Sequence, residues 1–122
     1  MASLVQQKSF DFVLRIIKLY TTLQQHREYV LSRQLLRSGT SIGANVTEAT
    51  AGQSRRDFLA KMSIASKEAR ETKYWLELFK QSELAPVDVS GELSDVEELI
   101  RILTSIVKTT SQSPAAVSTT QN

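Results

Sequence analysis

Apolar residues recur every three or four positions along most of the chain, and no stretch alternates apolar with polar residues for long. This period is typical of an α-helix that buries one face, whereas a half-buried strand has a period of two. Glycine and proline, which interrupt helices, occur only four times and twice. The pattern predicts an all-α protein with four helices, at about 3–25, 28–51, 54–82 and 92–110.

Three of these predicted helices each carry one stripe of apolar and small residues, spaced mainly by three and four positions in turn. The stripe of the second helix consists of Leu31, Leu35, Ser38, Ile42, Asn45 and Ala49. The stripes of the third and fourth helices consist of Phe58, Met62, Ala65, Ala69, Thr72, Leu76 and Phe79, and of Leu93, Val96, Ile100, Leu103 and Val107. Stripes of this period pack at shallow angles, so we expect an antiparallel up-down-up-down four-helix bundle.

The polar residue Asn45 falls on the stripe of the second predicted helix. We interpret it as a buried hydrogen-bonding group that fixes the helix register or an interface, with Glu48 close to it in sequence. Trp75, which lies off the main stripe of the third helix, is expected in the core or at an interface.

The first predicted helix has two apolar faces. Placed at 100° per residue, one group consists of Phe10, Val13, Leu14, Ile17 and Tyr20, and the second of Val5, Phe12, Ile16, Leu19 and Leu23. A bundle helix needs an apolar arc of slightly more than about 100°, and this helix has roughly twice that. Either both faces belong to a large core, or the second face, with Phe12, Ile16 and Leu19, is covered by a neighbouring subunit. We favour the second interpretation, a homo-oligomer.

The four helices are expected to form one domain, residues 1–110. The third helix should begin after Ser54, which is followed three residues later by Asp57 in a pattern that resembles a capping box. Residues 111–122 are polar and aperiodic, so we expect a disordered tail there.

Composition favours a cytoplasmic protein without a cofactor. The chain has no cysteine, which excludes disulfides and thiolate metal sites. It has neither an N-terminal apolar run of the signal-peptide type nor an apolar stretch of transmembrane length, so no membrane partner is expected. A carboxylate-bridged metal pair in a helix bundle needs Glu-x-x-His motifs on two helices. The single histidine, His26, does not supply them, and no metal site is predicted.

The Gly-Thr-Ser-Ile-Gly sequence around Ser41 matches the G-x-S-x-G pattern of serine hydrolases. That motif needs a strand before the serine, and an acid and then a histidine after it. Here a helical pattern precedes Ser41, and His26 comes before it. We therefore predict no catalytic residue. Gly39, Gly43 and Thr47 instead recur every four positions, which lets a neighbouring helix approach closely and offsets a propensity cost of about 1 kcal/mol per glycine.

Charge is distributed unevenly, although the net charge is only +2. Residues 1–37 carry +4, residues 38–80 carry +2 and residues 81–122 carry −4. The candidates for contacts with nucleic-acid phosphates are Arg15, Lys18, Arg33, Arg37, Arg55 and Arg56. The acids Glu68, Glu71, Glu97 and Glu98 are expected to form a solvated face or to pair with Lys67, Arg70 and Arg101.

Several segments together resemble the bacterial four-helix-bundle proteins that are encoded in 23S rRNA intervening sequences. They are KSFDFVLRIIKLY (8–20), SRQLLRSGTSIGANVTEA (32–49), SRRDFLAKMSIASKEARETKYWLELF (54–79) and the heptads of the fourth helix. The resemblance covers about residues 8–108, and its most specific element is Ser-Ile-Gly-Ala-Asn-Val-x-Glu-Ala at 41–49. Many members have proline where this chain has Gly43, although the glycine variant also occurs in the family.

The resemblance implies an antiparallel bundle that assembles into a pentameric ring or barrel, and it implies no catalytic residues. The same family includes the accessory variability determinant protein of diversity-generating retroelements, for which a basic pentamer that binds nucleic acid and a reverse transcriptase is implied. Two hypotheses follow. The first is a non-enzymatic homopentamer that binds RNA or another nucleic acid through the six basic residues. The second is an oligomeric scaffold for a protein partner, for example a reverse-transcriptase accessory subunit, with the acidic fourth helix or the basic front of the chain as the docking surface.

Overall fold

Four α-helices form a bundle in which each helix packs against two others. The computed structural model describes residues 2–112, and the helices are α1 (Ala2–Gln25), α2 (Leu31–Thr50), α3 (Arg55–Ser82) and α4 (Ser90–Gln112). The described residues contain no strand, in agreement with the predicted all-α class. Both α1 and α3 contact α2 and α4, so α1 and α3 lie at opposite corners of the bundle. Within residues 2–112, no helix is long and apolar enough to cross a membrane.

One apolar group of α1 belongs to the core. Val5, Phe12, Ile16, Leu19 and Leu23 are all buried, and they join the apolar stripes of the other three helices in one cluster. Phe12, Ile16 and Leu19, which the sequence placed on a face covered by a neighbouring subunit, are therefore covered by this chain's own helices. The second apolar group of α1 has a different environment, described below.

The turn between α1 and α2 depends on the buried carboxylate of Glu28. Arg27 has a left-handed backbone conformation (φ 63°) that ends the helical path after α1. The Glu28 carboxylate then accepts hydrogen bonds from the backbone N–H groups of Val30, Leu31 and Ser32, at 3.1, 3.1 and 2.6 Å. These N–H groups lie at the start of α2, where a helix has no internal acceptor for them and where a negative charge is favourable. Consequently α2 begins at Leu31, three residues later than predicted.

Side-chain oxygens also fix the starts of α3 and α4. Ser54 Oγ accepts a hydrogen bond from the Asp57 N–H at 3.1 Å, as the sequence indicated. Asp88 Oδ1 accepts one from the Ser90 N–H at 2.9 Å, and this bond lowers the pKa of Asp88. The Asp88 interaction lies before the first turn of α4, which begins two residues earlier than predicted.

The end of α4 differs from its predicted end. The helix continues to Gln112, so the first two residues of the predicted disordered tail are helical. Residues 113–122, the remainder of that predicted tail, lie outside the described part of the chain.

The buried stripe of α2 does not include Asn45. Val46 is fully buried in its place, and the half-buried Asn45 side chain donates to the Ser41 carbonyl of its own helix at 2.9 Å. A polar contact across the core is made instead by Thr72 of α3, whose hydroxyl donates to Ser38 Oγ of α2 at 2.9 Å. Both of these side chains are fully buried. Asn45 therefore lacks the buried role expected for it, because the stripe advances by four positions after Ile42 instead of three.

Replacing Glu28 with alanine should destabilise the protein. The change leaves three N–H groups at the start of α2 without their acceptor, and we expect the free energy of unfolding to fall by about 1–3 kcal/mol. Urea denaturation followed by circular dichroism measures the loss. Asp11→Ala, which removes an exposed α1 carboxylate that is hydrogen-bonded only to Gln7, should change stability by less than about 0.5 kcal/mol. Equal effects of the two substitutions would contradict the capping role.

Candidate interaction surfaces

Two glycines of α2 allow α1 to approach closely. A Cβ at Gly39 would lie 3.0 Å from Ile16 Cγ2, and a Cβ at Gly43 would lie 2.9 Å from Val13 Cγ2. Side chains at these positions would therefore push against α1. Thr47, the third member of the predicted line of small residues, is exposed, and its hydroxyl donates to the Gly43 carbonyl at 2.8 Å. The close approach thus involves the two glycines and ends before Thr47.

Ser41 has the surroundings of an ordinary helical serine. It is half-buried in the middle of α2, and its Oγ accepts a hydrogen bond from the Asn45 amide at 3.2 Å. His26 is exposed in the turn before α2, about 15 Å or more along the helix axis from Ser41. The described residues also contain no cluster of histidines and acids suited to holding a metal ion. The described surroundings of Ser41 therefore do not provide the histidine base that a serine nucleophile of this type needs.

An apolar stripe on α1 remains exposed after the bundle is formed. Phe10, Leu14 and Ile17 are 60%, 52% and 42% exposed, and their spacing places them on one face of the helix. Leu4, near the start of the same helix, is 50% exposed. Thus the solvent-exposed apolar residues come from the group with Phe10, of which Val13 and Tyr20 are half-buried, and not from the group with Phe12. We call Phe10, Leu14 and Ile17 the α1 stripe.

Arg15, one of the six predicted nucleic-acid contacts, is bound to acids of α4. Its Nε lies 3.5 Å from Glu92 Oε2, and its Nη1 lies 2.9 Å from Asp95 Oδ2. The guanidinium also lies over Gly91, where a Cβ would overlap with it. The Glu92 side chain is only 11% exposed, so Arg15 compensates a carboxylate that has lost most of its water. This contact joins α1 to α4.

Arg37, the second paired candidate, belongs to a network between α2 and α3. Its guanidinium pairs with Glu71, and Nη1 also lies 3.4 Å from Glu68 Oε1. Glu71 in turn accepts a hydrogen bond from the indole N–H of Trp75 at 2.9 Å. Trp75 packs against the core as a half-buried ring, which agrees with its expected structural position. The positive charge of Arg37 is therefore compensated within the bundle.

The other four predicted basic residues do not form one surface. These residues are Lys18, Arg33, Arg55 and Arg56. All four are exposed, and none of them has an ion-pair partner among the described residues. An ion pair of 2.9 Å between Lys61 and Glu48, itself exposed, places the start of α3 beside the end of α2. Arg33 lies at the start of α2, so it is separated from Arg55 by about 30 Å along the bundle. A single phosphate-binding patch made of these six residues is not present.

A groove between α3 and α4 brings together Lys67, Arg70 and Lys108, of which Lys67 and Arg70 were expected to pair with acids. Its volume is about 290 Å³, and it is lined by Ser63, Ser66, Lys67, Arg70, Thr104, Val107 and Lys108. No acid lines it. The expected partners pair elsewhere: Glu68 and Glu71 with Arg37, Glu97 with Lys73, and Glu98 with Lys8. We call this the α3–α4 groove.

Comparison with known proteins identifies relatives of the whole bundle. The model of a family described as 23S rRNA-intervening sequence protein matches residues 2–105. A crystal structure of a protein with unknown function from the S23 ribosomal protein family of Bacteroides thetaiotaomicron VPI-5482 is similar to the chain, with 46% sequence identity and a TM-score of 0.82. The match covers 88% of this chain and 97% of that one. No curated protein matches at a significant level.

Replacing Arg15 with glutamine should destabilise the bundle. The nearly buried Glu92 carboxylate would lose its cation, and we expect the free energy of unfolding to fall by about 1–2 kcal/mol. Lys18→Gln removes an unpaired charge one turn later on the same helix and should cost less than about 0.5 kcal/mol. Urea unfolding of both variants tests this difference. Adding Glu92→Gln to the Arg15→Gln variant should recover part of the lost free energy of unfolding. If it does not, the ion pair is not the cause of the loss.

Proposed function

Given that the chain belongs to the 23S rRNA-intervening sequence protein family, we propose that it is a non-enzymatic four-helix bundle that self-associates and binds nucleic acid. The observation that carries this proposal is the α1 stripe, a set of large apolar side chains that the bundle itself leaves in water. The family resemblance adds a ring of five subunits and an up-down-up-down order of the helices.

The α1 stripe favours a second copy of this chain as its occupant. Large apolar side chains in one line on a helix are energetically unfavourable in water, and burial of such a face against protein is the usual outcome. Every copy of the chain exposes the same stripe, so an interface between copies that includes the stripe removes it from water in each subunit. Arg15 and Lys8 face α4, away from the stripe, and pair with acids of that helix. The charged α1 residues nearest to the stripe are Asp11 and Lys18, which have opposite signs.

The pattern of ion pairs supports nucleic acid over an acidic docking surface for a protein. Four acids of α4 already pair within the chain: Glu92, Asp95, Glu97 and Glu98. The acidic character of the C-terminal third is therefore largely compensated by this chain's own cations. Unpaired lysine and arginine side chains remain exposed on the other helices. Self-association multiplies these charges, and phosphate contacts add up in affinity.

The solution mass tests self-association directly. Light scattering of the wild-type protein should give a mass of several subunits, five if the family resemblance holds. The double substitution Phe10→Gln and Leu14→Gln should give a monomer, because it places two polar amides in the α1 stripe. The matched control, Val30→Gln and Leu84→Gln, changes two apolar residues that are also more than half exposed but lie outside the stripe. A wild-type monomer, or dissociation by the control pair alone, would refute the role of the stripe.

Salt dependence tests nucleic-acid binding. The wild-type protein should retain labelled single-stranded RNA at low salt and release it at high salt, because each phosphate neutralised contributes about −0.7 to the slope of log K against log[salt]. Fluorescence anisotropy measures that slope. An oligomer that does not bind RNA at low salt would refute nucleic-acid binding. The protein-scaffold function, including an accessory role for a reverse transcriptase, would then remain as the proposal.

A further inference from the structure

We propose that the α3–α4 groove binds the phosphodiester backbone of single-stranded RNA, through phosphate contacts from Lys67, Arg70 and Lys108, with Tyr74 stacking on a base beside it. The inference rests on the proposed nucleic-acid-binding function and names its site. That site shares no residue with the six basic positions that the sequence indicated.

The lining of the α3–α4 groove carries uncompensated positive charge. Three cations line one concave surface, and none of them has an acidic partner among residues 2–112. Elsewhere on the bundle, Lys8, Arg15, Arg37, Lys61 and Lys73 are each paired with a carboxylate. The unpaired Lys18, Arg33, Arg55 and Arg56 do not share one groove. Like charges around one groove repel each other, and a polyanion relieves that repulsion. A concave basic surface also concentrates the potential that attracts phosphates.

The α3–α4 groove also contains neutral hydrogen-bond donors. Ser63, Ser66 and Thr104 contribute hydroxyl groups to the same groove. Arg70 Nη2 donates to Thr104 Oγ1 at 3.3 Å, which orients the guanidinium along the groove between the two helices. Arginine, lysine, serine and threonine side chains make most contacts with phosphate oxygens in nucleic-acid complexes. The groove is therefore equipped for an oxyanion with several acceptor atoms.

An exposed aromatic ring lies on the same face of α3 as Lys67 and Arg70. Lys67, Arg70 and Tyr74 follow one another at positions i, i+3 and i+7 of α3, so their side chains project from one side of the helix. Tyr74 is 57% exposed, and its ring meets the edge of Trp75 with 5.1 Å between centroids. The indole N–H of Trp75 donates a hydrogen bond to Glu71, which restrains the Trp75 ring and thereby the Tyr74 ring in contact with it. Cations beside an exposed ring are the combination by which proteins hold unpaired bases and their backbone.

The groove is also compatible with self-association through the α1 stripe. Because α1 and α3 lie at opposite corners of the bundle, a copy seated on the stripe lies on the other side of the bundle from the outer face of α3. Each subunit then presents one groove, and a long RNA strand contacts several of them.

Two triple variants with equal charge test the proposal. The groove variant carries Lys67→Gln, Arg70→Gln and Lys108→Gln, and the control carries Lys18→Gln, Arg33→Gln and Arg55→Gln. Each lowers the formal net charge from +2 to −1. For labelled oligouridine and the full-length protein, the groove variant should weaken binding by roughly tenfold or more and reduce the salt slope by about 2. The control should change affinity less than about twofold, since its residues are dispersed.

A further substitution separates base stacking from charge. Tyr74→Leu keeps an apolar side chain on α3 but removes the ring, and it should weaken oligouridine binding about fivefold to a hundredfold. Binding of duplex RNA, whose bases are already stacked, should stay unchanged. Thermal melts of all variants establish that they fold, and the conservative set Lys67→Arg, Arg70→Lys and Lys108→Arg should retain affinity.

The outcomes distinguish the groove from the function on which it rests. If the wild-type protein binds no RNA, the proposed nucleic-acid function fails and the groove with it. If the wild type binds RNA and both triple variants lose affinity equally, only the assignment to the groove is overturned. If the groove variant loses binding of inorganic phosphate, measured by calorimetry, but keeps its RNA affinity, the groove is a small-anion site and the inference is likewise overturned.

Discussion

The contact of α1 with two glycines of α2 fixes the rotation of α1 about its own axis, and the other surfaces of the molecule depend on that rotation. Ile16 occupies the space that a side chain at Gly39 would fill, and Val13 does the same at Gly43. With those two residues against α2, Phe12 lies in the core and Phe10 lies in solvent. A helix with two apolar faces has no internal preference between them. The absence of Cβ atoms at Gly39 and Gly43 of α2 determines which apolar face of α1 is buried.

The same rotation places the basic residues of α1 next to α4. Arg15 then compensates Glu92 and Asp95, and a second ion pair, 3.2 Å between Lys8 and Glu98, lies two turns away. The Lys8–Glu98 pair is exposed and contributes little to stability, typically below about 1 kcal/mol, whereas the Arg15 contact compensates the nearly buried Glu92 carboxylate. Glu92, Asp95 and Glu98 thus pair with α1, on a different side of α4 from Thr104 and Lys108, which line the α3–α4 groove.

Much of the fold could be predicted from the sequence, because helical periodicity is a local property that each segment carries by itself. The capping of α3 by Ser54 was readable for the same reason. Other features depend on contacts between segments. A glutamate that caps the following helix with its carboxylate, as Glu28 does, resembles an ordinary first-turn acid in the sequence. The choice between Asn45 and Val46 as the buried residue required knowing how α2 faces α1 and α3.

Pairing of charges was the least predictable feature, and it determined the candidate site. Long side chains on adjacent helices have several partners within reach, and the choice among them depends on helix rotations of a few tens of degrees. Glu71 is one residue away from Arg70 in sequence, yet it faces α2 and binds Arg37. Arg70 lies on the other side of α3 and faces α4. A count of acids and bases along the chain therefore predicts the net charge of each segment but not which cations remain uncompensated. If the protein binds nucleic acid as proposed, we expect the phosphates at the α3–α4 groove, where three uncompensated cations meet.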